Sequence, residues 1–368
     1  MAAVGGGEPP TVGLPPVRDD LTALVGYHSA QVEVAVRLNT NESPLPPPAA
    51  WQEALVDAVG GIDFNRYPDR GAIALRQALA DSHGVGIDEV FCANGSNEVL
   101  QCLLLAYGGP GRACALFEPT YTLHGHIARV TGTAVATGAR RHDFTLDLDV
   151  VAGVLDSSDP ELTFLCSPNN PTGRADSLDE ITTVAGLAPG LLVVDEAYGQ
   201  FAPSSALELR AVRPDAFRHV VVVRTFSKTW SMAAARLGYL VADPEVVAAC
   251  ELVALPYHLD AVTQLAGRLA LDFADEMNER VAVIAEERGR IAATFAGLPV
   301  ETWPSDANFL LFRPTGREAA AVWSDLVSSG VLVRDCSTWP GLTGCLRVTV
   351  GLPEENDRFL AALTESLR

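Results

Sequence analysis

Short apolar runs, several of them β-branched, recur along the middle of the chain, and most lead into a stretch with helical spacing. Residues 90–93 lead into 99–107, 114–117 into 122–130, and 162–166 into 178–187, with further runs at 191–194 and 220–223. Unbroken runs of this kind suit strands buried on both faces. Their alternation with helices predicts a mostly parallel sheet covered on both sides. Ahead of it, residues 32–38 alternate as a strand should, and the prolines at 44 and 46–48 force an extended crossing. Helices are expected over 49–59, where Trp51, Leu55 and Val59 share a face, and over 72–82. After Tyr257 the texture changes. A long helical stretch over about 263–295 is followed by strands at 308–312, 331–333 and 346–350, and by helices over 319–328 and from Glu354. The pattern divides the chain into a disordered tail (1–18), an arm joining the small domain (19–45), a large α/β domain (46–260) and a smaller α+β domain (261–368).

Composition narrows the functions open to such a fold. With 368 residues and 48% hydrophobic content, the chain is long enough for two cores. A net charge of -20 argues against nucleic acid and acidic membrane surfaces as partners. No run approaches the roughly 18 apolar residues of a membrane span, and the Gly/Pro/Ala-rich start lacks the apolar core of a secretory signal. The seven cysteines are scattered, with no Cys-x-x-Cys pair, and read as small buried hydrophobes in a reducing compartment and not as a zinc site. A soluble cytoplasmic protein without a metal is the expectation.

One residue stands out against this background. Of 26 Lys+Arg, 25 are arginine and one, Lys228, is lysine. A guanidinium serves wherever only a cation is needed, whereas an amine of lowered pKa can attack a carbonyl and form a Schiff base. Lys228 follows Val220-Val221-Val222-Val223, on the loop leaving a buried strand, which is where open α/β sheets bind their ligands. Ser227 and Arg236 flank it with a hydroxyl and a fixed cation, suited to a phosphate dianion. Asn94-Gly95-Ser96-Asn97-Glu98 opens a helix and offers either an anion site at its N-terminus or a plain N-cap.

Other strand ends supply further polar side chains to the same crevice. Tyr121 follows one strand, Asn170 another, and Asp195 and Tyr198 a third. Pyridoxal phosphate needs an amine, a carboxylate for its ring nitrogen, donors for its ring oxygen and a phosphate site. Lys228, Asp195, the pair Asn170 and Tyr198, and the set Ser96, Asn97, Ser227 and Arg236 answer these needs in turn. Tyr121 is placed to stack on a ring, or merely to pack.

Six segments resemble the histidinol-phosphate aminotransferases, from about Arg18 to the C-terminus. They are Leu38-Asn39-Thr40-Asn41-Glu42, Asn65-Arg66-Tyr67-Pro68, Cys166-Ser167-Pro168-Asn169-Asn170-Pro171-Thr172-Gly173, Asp195-Glu196-Ala197-Tyr198, Arg224-Thr225-Phe226-Ser227-Lys228 and Leu346-Arg347-Val348-Thr349-Val350-Gly351. The resemblance implies a fold-type I pyridoxal-phosphate enzyme: a large domain with a mostly parallel seven-stranded sheet flanked by helices, and a smaller α+β domain. It implies that Lys228 holds the cofactor and shuttles the proton, that Asp195 pairs with the ring nitrogen, and that Asn170 and Tyr198 bond the ring oxygen. Ser96, Asn97, Ser227 and Arg236 would hold the cofactor phosphate, with Tyr67 reaching it from the other subunit of a homodimer. On the substrate side it implies Tyr27 as a closing residue, with Asn170, and Arg347 and Arg334 as anion-binding arginines. The expected reaction moves an amino group between L-histidinol phosphate and 2-oxoglutarate, in histidine biosynthesis. An aromatic amino acid aminotransferase and a phosphoamino-acid decarboxylase of the same fold are the alternatives. Ser43, the segment Thr229-Trp230-Ser231-Met232 and the loop from Cys336 to Cys345 depart from the family pattern, all near the substrate side.

Overall fold

The structure is a computed structural model and describes residues 14–22, 24, 26 and 31–368. Its first strand, β1 (Val36–Leu38), is followed by the proline-rich crossing and by helices α1 (Ala49–Val59) and α2 (Ile73–His83). Strands and helices then alternate: β2 (Val90–Asn94), α3 (Gly95–Tyr107), β3 (Ala113–Glu118), α4 (Thr122–Val130), β4 (Ala134–Ala139), α5 (Leu148–Ser158), β5 (Leu162–Cys166), α6 (Leu178–Leu187), β6 (Leu191–Asp195), α7 (Leu207–Val212) and β7 (Val220–Thr225). β8 (Leu237–Val241), α8 (Pro244–Val253), α9 (Ala261–Ala270) and α10 (Ala274–Phe295) follow. The chain ends with β9 (Val300–Thr302), β10 (Phe309–Pro314), α11 (Ala319–Ser328), β11 (Val331–Asp335), β12 (Leu346–Thr349) and α12 (Pro353–Ser366).

Seven strands form the large sheet in the order β2-β8-β7-β6-β5-β3-β4. Only β8 runs against its neighbours, so the sheet is mostly parallel, as the alternation predicted. The valine run of β7 is wholly buried, which explains its lack of any polar alternation. The order changes direction at β3, which has β4 on one side and β5 on the other. A crevice opens beyond the strand ends at such a point. A second sheet of five strands has the order β1-β11-β12-β10-β9, with β1 parallel to β11 and the remaining pairs antiparallel.

Several elements differ from expectation, each for a local reason. The strand expected over 32–38 is ordered only at Val36–Leu38, because its partner β11 begins at Val331 and offers nothing to pair with before it. The long helical stretch is two helices separated by a short 3-10 turn at Leu271–Phe273. Ala266 and Ala270 of α9 pack with Trp51, Leu79 and Tyr239, whereas Ile284, Ile291 and Phe295 of α10 pack with Phe309, Phe312 and Phe359. The break therefore carries the chain from one core to the other. Helix α3 starts at Gly95, earlier than its apolar spacing shows. β4, α5, α7, β8, α8 and β9 escaped the pattern: β4 is a half-exposed edge of small residues, and β8 needs Gly238, where a Cβ would lie 2.2 Å from the Ser96 amide nitrogen.

Candidate active site

The ends of β3, β5, β6 and β7 meet the start of α3 and the inner edge of the small sheet around a cavity of about 300 Å³. Ten of the expected residues line it: Ser96, Asn97 and Tyr121, then Asn170, Asp195 and Tyr198, then Ser227, Lys228, Arg236 and Arg347. A wider hollow of about 910 Å³ over α4 and the β3–β4 edge holds no amine.

One end of the cavity is a cup of donors. α3 opens at Gly95, and Asn94 provides no side-chain cap, so the first-turn N–H groups of Ser96 and Asn97 keep their positive end toward the cavity. The plain N-cap alternative does not hold. Gly95 has φ +78°, and a Cβ there would lie 2.7 Å from Arg236 Nη2, so only glycine lets the guanidinium close over the helix start. Arg236 itself is in the left-handed region at φ +53°, a conformation that a non-glycine residue keeps only when its surroundings hold it there. Its Nη1 donates to Ala233 O (3.2 Å) and Ser227 Oγ (3.4 Å), and Thr225 Oγ donates to Ser227 Oγ at 3.0 Å.

Asp195 ends β6 and is 1% exposed. A carboxylate so buried must be matched. The backbone N–H of Ala197 donates to Oδ1 (3.1 Å), and His124 Nε2 lies 2.9 Å from Oδ2. His124 Nδ1 meets no partner among the described residues, so the proton that can be donated to the carboxylate belongs on Nε2. The ring is stacked on Phe164 and meets Tyr121 edge-on, and Tyr121 Oη donates to Asn97 Oδ1 at 3.3 Å. The next residue, Glu196, is paired with Arg224 (2.8 Å) and Ser205, which stiffens the same strand ends.

Lys228 leaves β7 and donates from Nζ to Thr40 O at 3.2 Å. Burial and the Arg347 guanidinium, with Arg236 adding to them and Glu42 opposing, push its ammonium from 10.5 down to about 8. A solvated lysine left over by an arginine-rich composition would show no such shift. Tyr198 lies beside it, with Nζ 5.8 Å from its ring centroid, and its Oη accepts from Asn41 Nδ2 at 3.0 Å. Burial raises the phenol's pKa and keeps its proton available for donation.

Asn170 and Arg347 join the two sheets. Arg347 of β12 is buried; Nη1 donates to Asn170 Oδ1 and Nη2 to Asn39 O (2.9 Å), while its guanidinium carbon lies 5.1 Å from the Phe309 ring centroid. With its carbonyl so engaged, Asn170, which lines the cavity, has its amide N–H groups left to donate. Arg334 does not line the cavity. It is the direct cross-strand partner of Arg347, half-buried, with its guanidinium carbon 5.7 Å from the Trp339 ring centroid. Tyr67 does not line the cavity of its own chain either: it is 80% exposed and stacks on Tyr257 at 4.5 Å. Tyr27 lies outside the described residues, as does most of the expected tail.

Three cavity or near-cavity residues had escaped sequence reasoning. His124 follows Tyr121 by one helical turn, a spacing that places both on one face and was the available signal. Thr225 stands two residues before Ser227 at a strand end. Asn41, at φ +56°, lies in a quoted motif but had no role; its N–H donates to Thr349 Oγ (3.0 Å) and its carbonyl accepts from Asn308 Nδ2 (3.2 Å). It thereby fastens the crossing segment to the small sheet and to Tyr198.

An amine of lowered pKa, a buried carboxylate and an anion cup, gathered at the strand ends of a mostly parallel sheet, define an enzyme of amine and carbonyl chemistry. The chain belongs to the aminotransferase class I and II family, whose description matches residues 33–363. Within it, the chain is 44% identical over 362 residues to histidinol-phosphate aminotransferase of Mycobacterium marinum, covering 96% of this chain and 93% of that protein. It is 46% identical over 372 residues to the enzyme of the same name from Frankia casuarinae, covering 96% and 90%. The crystal structure of histidinol-phosphate aminotransferase from Sinorhizobium meliloti in complex with pyridoxal-5'-phosphate is similar with a TM-score of 0.84 at 27% identity, over 91% of each chain. The family expected from the motifs is thus the family found.

Proposed function

We propose that the chain is a pyridoxal-phosphate-dependent aminotransferase that moves the amino group between L-histidinol phosphate and 2-oxoglutarate. The reading is carried by the 44–46% identity, over 96% of the chain, to relatives named for that activity. The donor set fits the cofactor. Ser96, Asn97, Thr225, Ser227 and Arg236 gather at the cavity, where glycine at 95 leaves room for the Arg236 guanidinium, and suit its phosphate. Asp195, held by His124, suits the ring nitrogen; the Asn170 amide and the Tyr198 hydroxyl suit the ring oxygen; Tyr121 suits a ring face. When bound, the cofactor supplies an aldehyde for an amine and a ring that withdraws electrons.

The protein's own groups do the rest. Lys228 Nζ, with its pKa near 8, is neutral in a useful fraction at neutral pH and accepts and returns the substrate Cα proton. Histidinol phosphate carries a phosphate and no carboxylate, whereas glutamate carries two carboxylates, so one pocket accepts both kinds of anion in turn. Arg347 and Arg334, whose guanidiniums offer bidentate donors, suit that double task.

Two further parts of the proposal concern assembly and compartment. Tyr67 and Tyr257 form an exposed aromatic stack, and Phe64, Leu252 and Leu255 are 73%, 85% and 74% exposed, a face that a second copy would cover. In such a homodimer Tyr67 serves the partner's cofactor phosphate. The seven cysteines are buried free thiols, in keeping with a cytoplasmic enzyme. Side-by-side kcat/KM with histidinol phosphate and phenylalanine tests the substrate, and a rate no higher with histidinol phosphate would overturn it. Full activity in a monomer at low concentration would overturn the shared site.

A further inference from the structure

The crossing segment brings to the cavity one acid that has no task in the site described above. Glu42 lines the cavity and is exposed. Among the described residues, no hydrogen bond or ion pair holds its carboxylate, whereas its backbone oxygen accepts from Asn308 Nδ2 at 3.5 Å. Its charge reaches the Lys228 ammonium, whose lowered pKa it opposes, but the two form no ion pair. Asp195, the other carboxylate lining the cavity, is matched by His124 and by the Ala197 N–H.

The backbone that presents Glu42 is fastened on both sides. Before it, Thr40 O accepts from Lys228 Nζ (3.2 Å), and Asn41 is tied to Thr349 and Tyr198 through its N–H and its side chain. After it, Ser43 Oγ accepts from Ser231 Oγ (2.9 Å) and donates to Leu45 O (3.1 Å). The surrounding hydrogen bonds thus fix residue 42 in place and leave its carboxylate unspent. An acceptor held in this way needs little ordering when a donor arrives.

The substrate supplies one donor that the other cavity residues leave unmet. Of the polar groups of histidinol phosphate, the phosphate suits the arginines and the amine goes to the cofactor aldehyde beside Lys228. The imidazole ring is left. Neutral or protonated, it carries an N–H that a carboxylate accepts, and a phenyl ring carries none. The same carboxylate repels anions, so it leaves the phosphate, and the carboxylates of glutamate, to the Arg347 side of the cavity.

We propose that Glu42 is a specificity-determining residue whose carboxylate accepts the imidazole N–H of the amino donor, so that the site prefers an imidazole to a phenyl ring. The inference rests on the histidinol phosphate reading given above. Steady-state kinetics of the cofactor-loaded wild type, Glu42→Ala and Glu42→Gln test it. Glu42→Ala is expected to raise KM for histidinol phosphate about tenfold with kcat unchanged, because the ring contact is the same before and during the reaction. Glu42→Gln keeps an acceptor without the charge and should lose about threefold. In both variants KM for 2-oxoglutarate, which has no ring, should stay level or fall, and kcat/KM for phenylalanine should not drop. If the wild type does not turn over histidinol phosphate, the substrate reading falls and the proposal with it. If it does, but Glu42→Ala leaves KM for histidinol phosphate unmoved, or raises that for 2-oxoglutarate as much, the role of Glu42 falls while that reading stands. An equal loss with phenylalanine would overturn the role in the same way.

Discussion

The cavity wall built from the large sheet and the β11–β12 pair on its other side treat charge in opposite ways. On the first, each buried carboxylate has its partner in place: Asp195 has His124 at 2.9 Å, and Glu196 has Arg224 at 2.8 Å. On the second, Arg334 stands opposite Arg347 across the strands, and Arg347 is held by the carbonyl oxygens of Asn170 and Asn39 and lies against the Phe309 ring. The carboxylates of the first wall are matched before any ligand arrives, while its cup of Ser96, Asn97, Ser227 and Arg236 stays open to an anion. Two cations opposite each other across a strand pair repel, and it is there that we propose anionic substrates bind.

The harshest test of the first wall is its amine. Lys228→Ala is expected to lower turnover by about 10⁴-fold, since no second lysine can substitute. Borohydride reduction and peptide mapping of the wild type should label Lys228 alone, and label at another amine would sink the assignment.

The second wall predicts unequal losses. Arg347→Ala removes a buried cation that also holds Asn170 and Asn39, and should cost about 2–5 kcal/mol in kcat/KM, with histidinol phosphate and phenylalanine alike. Arg334 is half-buried, so Arg334→Ala should cost less, about 1–2 kcal/mol, and should spare phenylalanine. Equal losses for both substrates at Arg334 would erase the distinction between the two arginines.

Titration sharpens the contrast further. The pKa of Lys228 is lowered in the folded state, so between about 8 and 10.5 the unfolded chain binds more protons and stability rises with pH. Below about 8 the burial penalty is present in full. Cofactor-free Lys228→Met should therefore exceed wild type in stability at pH 7, by roughly 1–3 kcal/mol, and the gap should narrow by pH 9.5. Urea unfolding at both pH values measures it, and a gap independent of pH would mean that Nζ is better solvated than its surroundings suggest. A last effect is expected at His124. His124→Leu leaves Asp195 Oδ2 without its partner, costing about 1–3 kcal/mol of stability and weakening cofactor retention, with little change in substrate KM. Dialysis against cofactor-free buffer and thermal unfolding read both, and unchanged cofactor retention would remove His124 from the matched wall.

Much of this molecule follows from local sequence. The valine run before Lys228, the glycine before Ser96 and Asn97, and the polar residues ending β5 and β6 place most of the first wall, because each depends on a single strand and the loop behind it. The changed texture after Tyr257 precedes the point where the chain passes from the cluster packed on α9 to the one packed on α10. What local pattern could not supply is everything that depends on register or on a distant partner. That His124 faces Asp195 requires the first turn of α4 to reach the end of β6, and that Asn41 reaches both Tyr198 and Thr349 requires the crossing segment to bridge the sheets. β4, an edge of small residues, has no hydrophobic signal of its own and forms because β3 offers it hydrogen bonds. The confrontation of Arg334 with Arg347, and the ring of Trp339 beside it, is a matter of which residue stands opposite which across two antiparallel strands. Side-chain identity is written residue by residue, but cross-strand register is set only when a whole face is buried at once, and that is why the pairing of Arg334 with Arg347 had to await the tertiary structure.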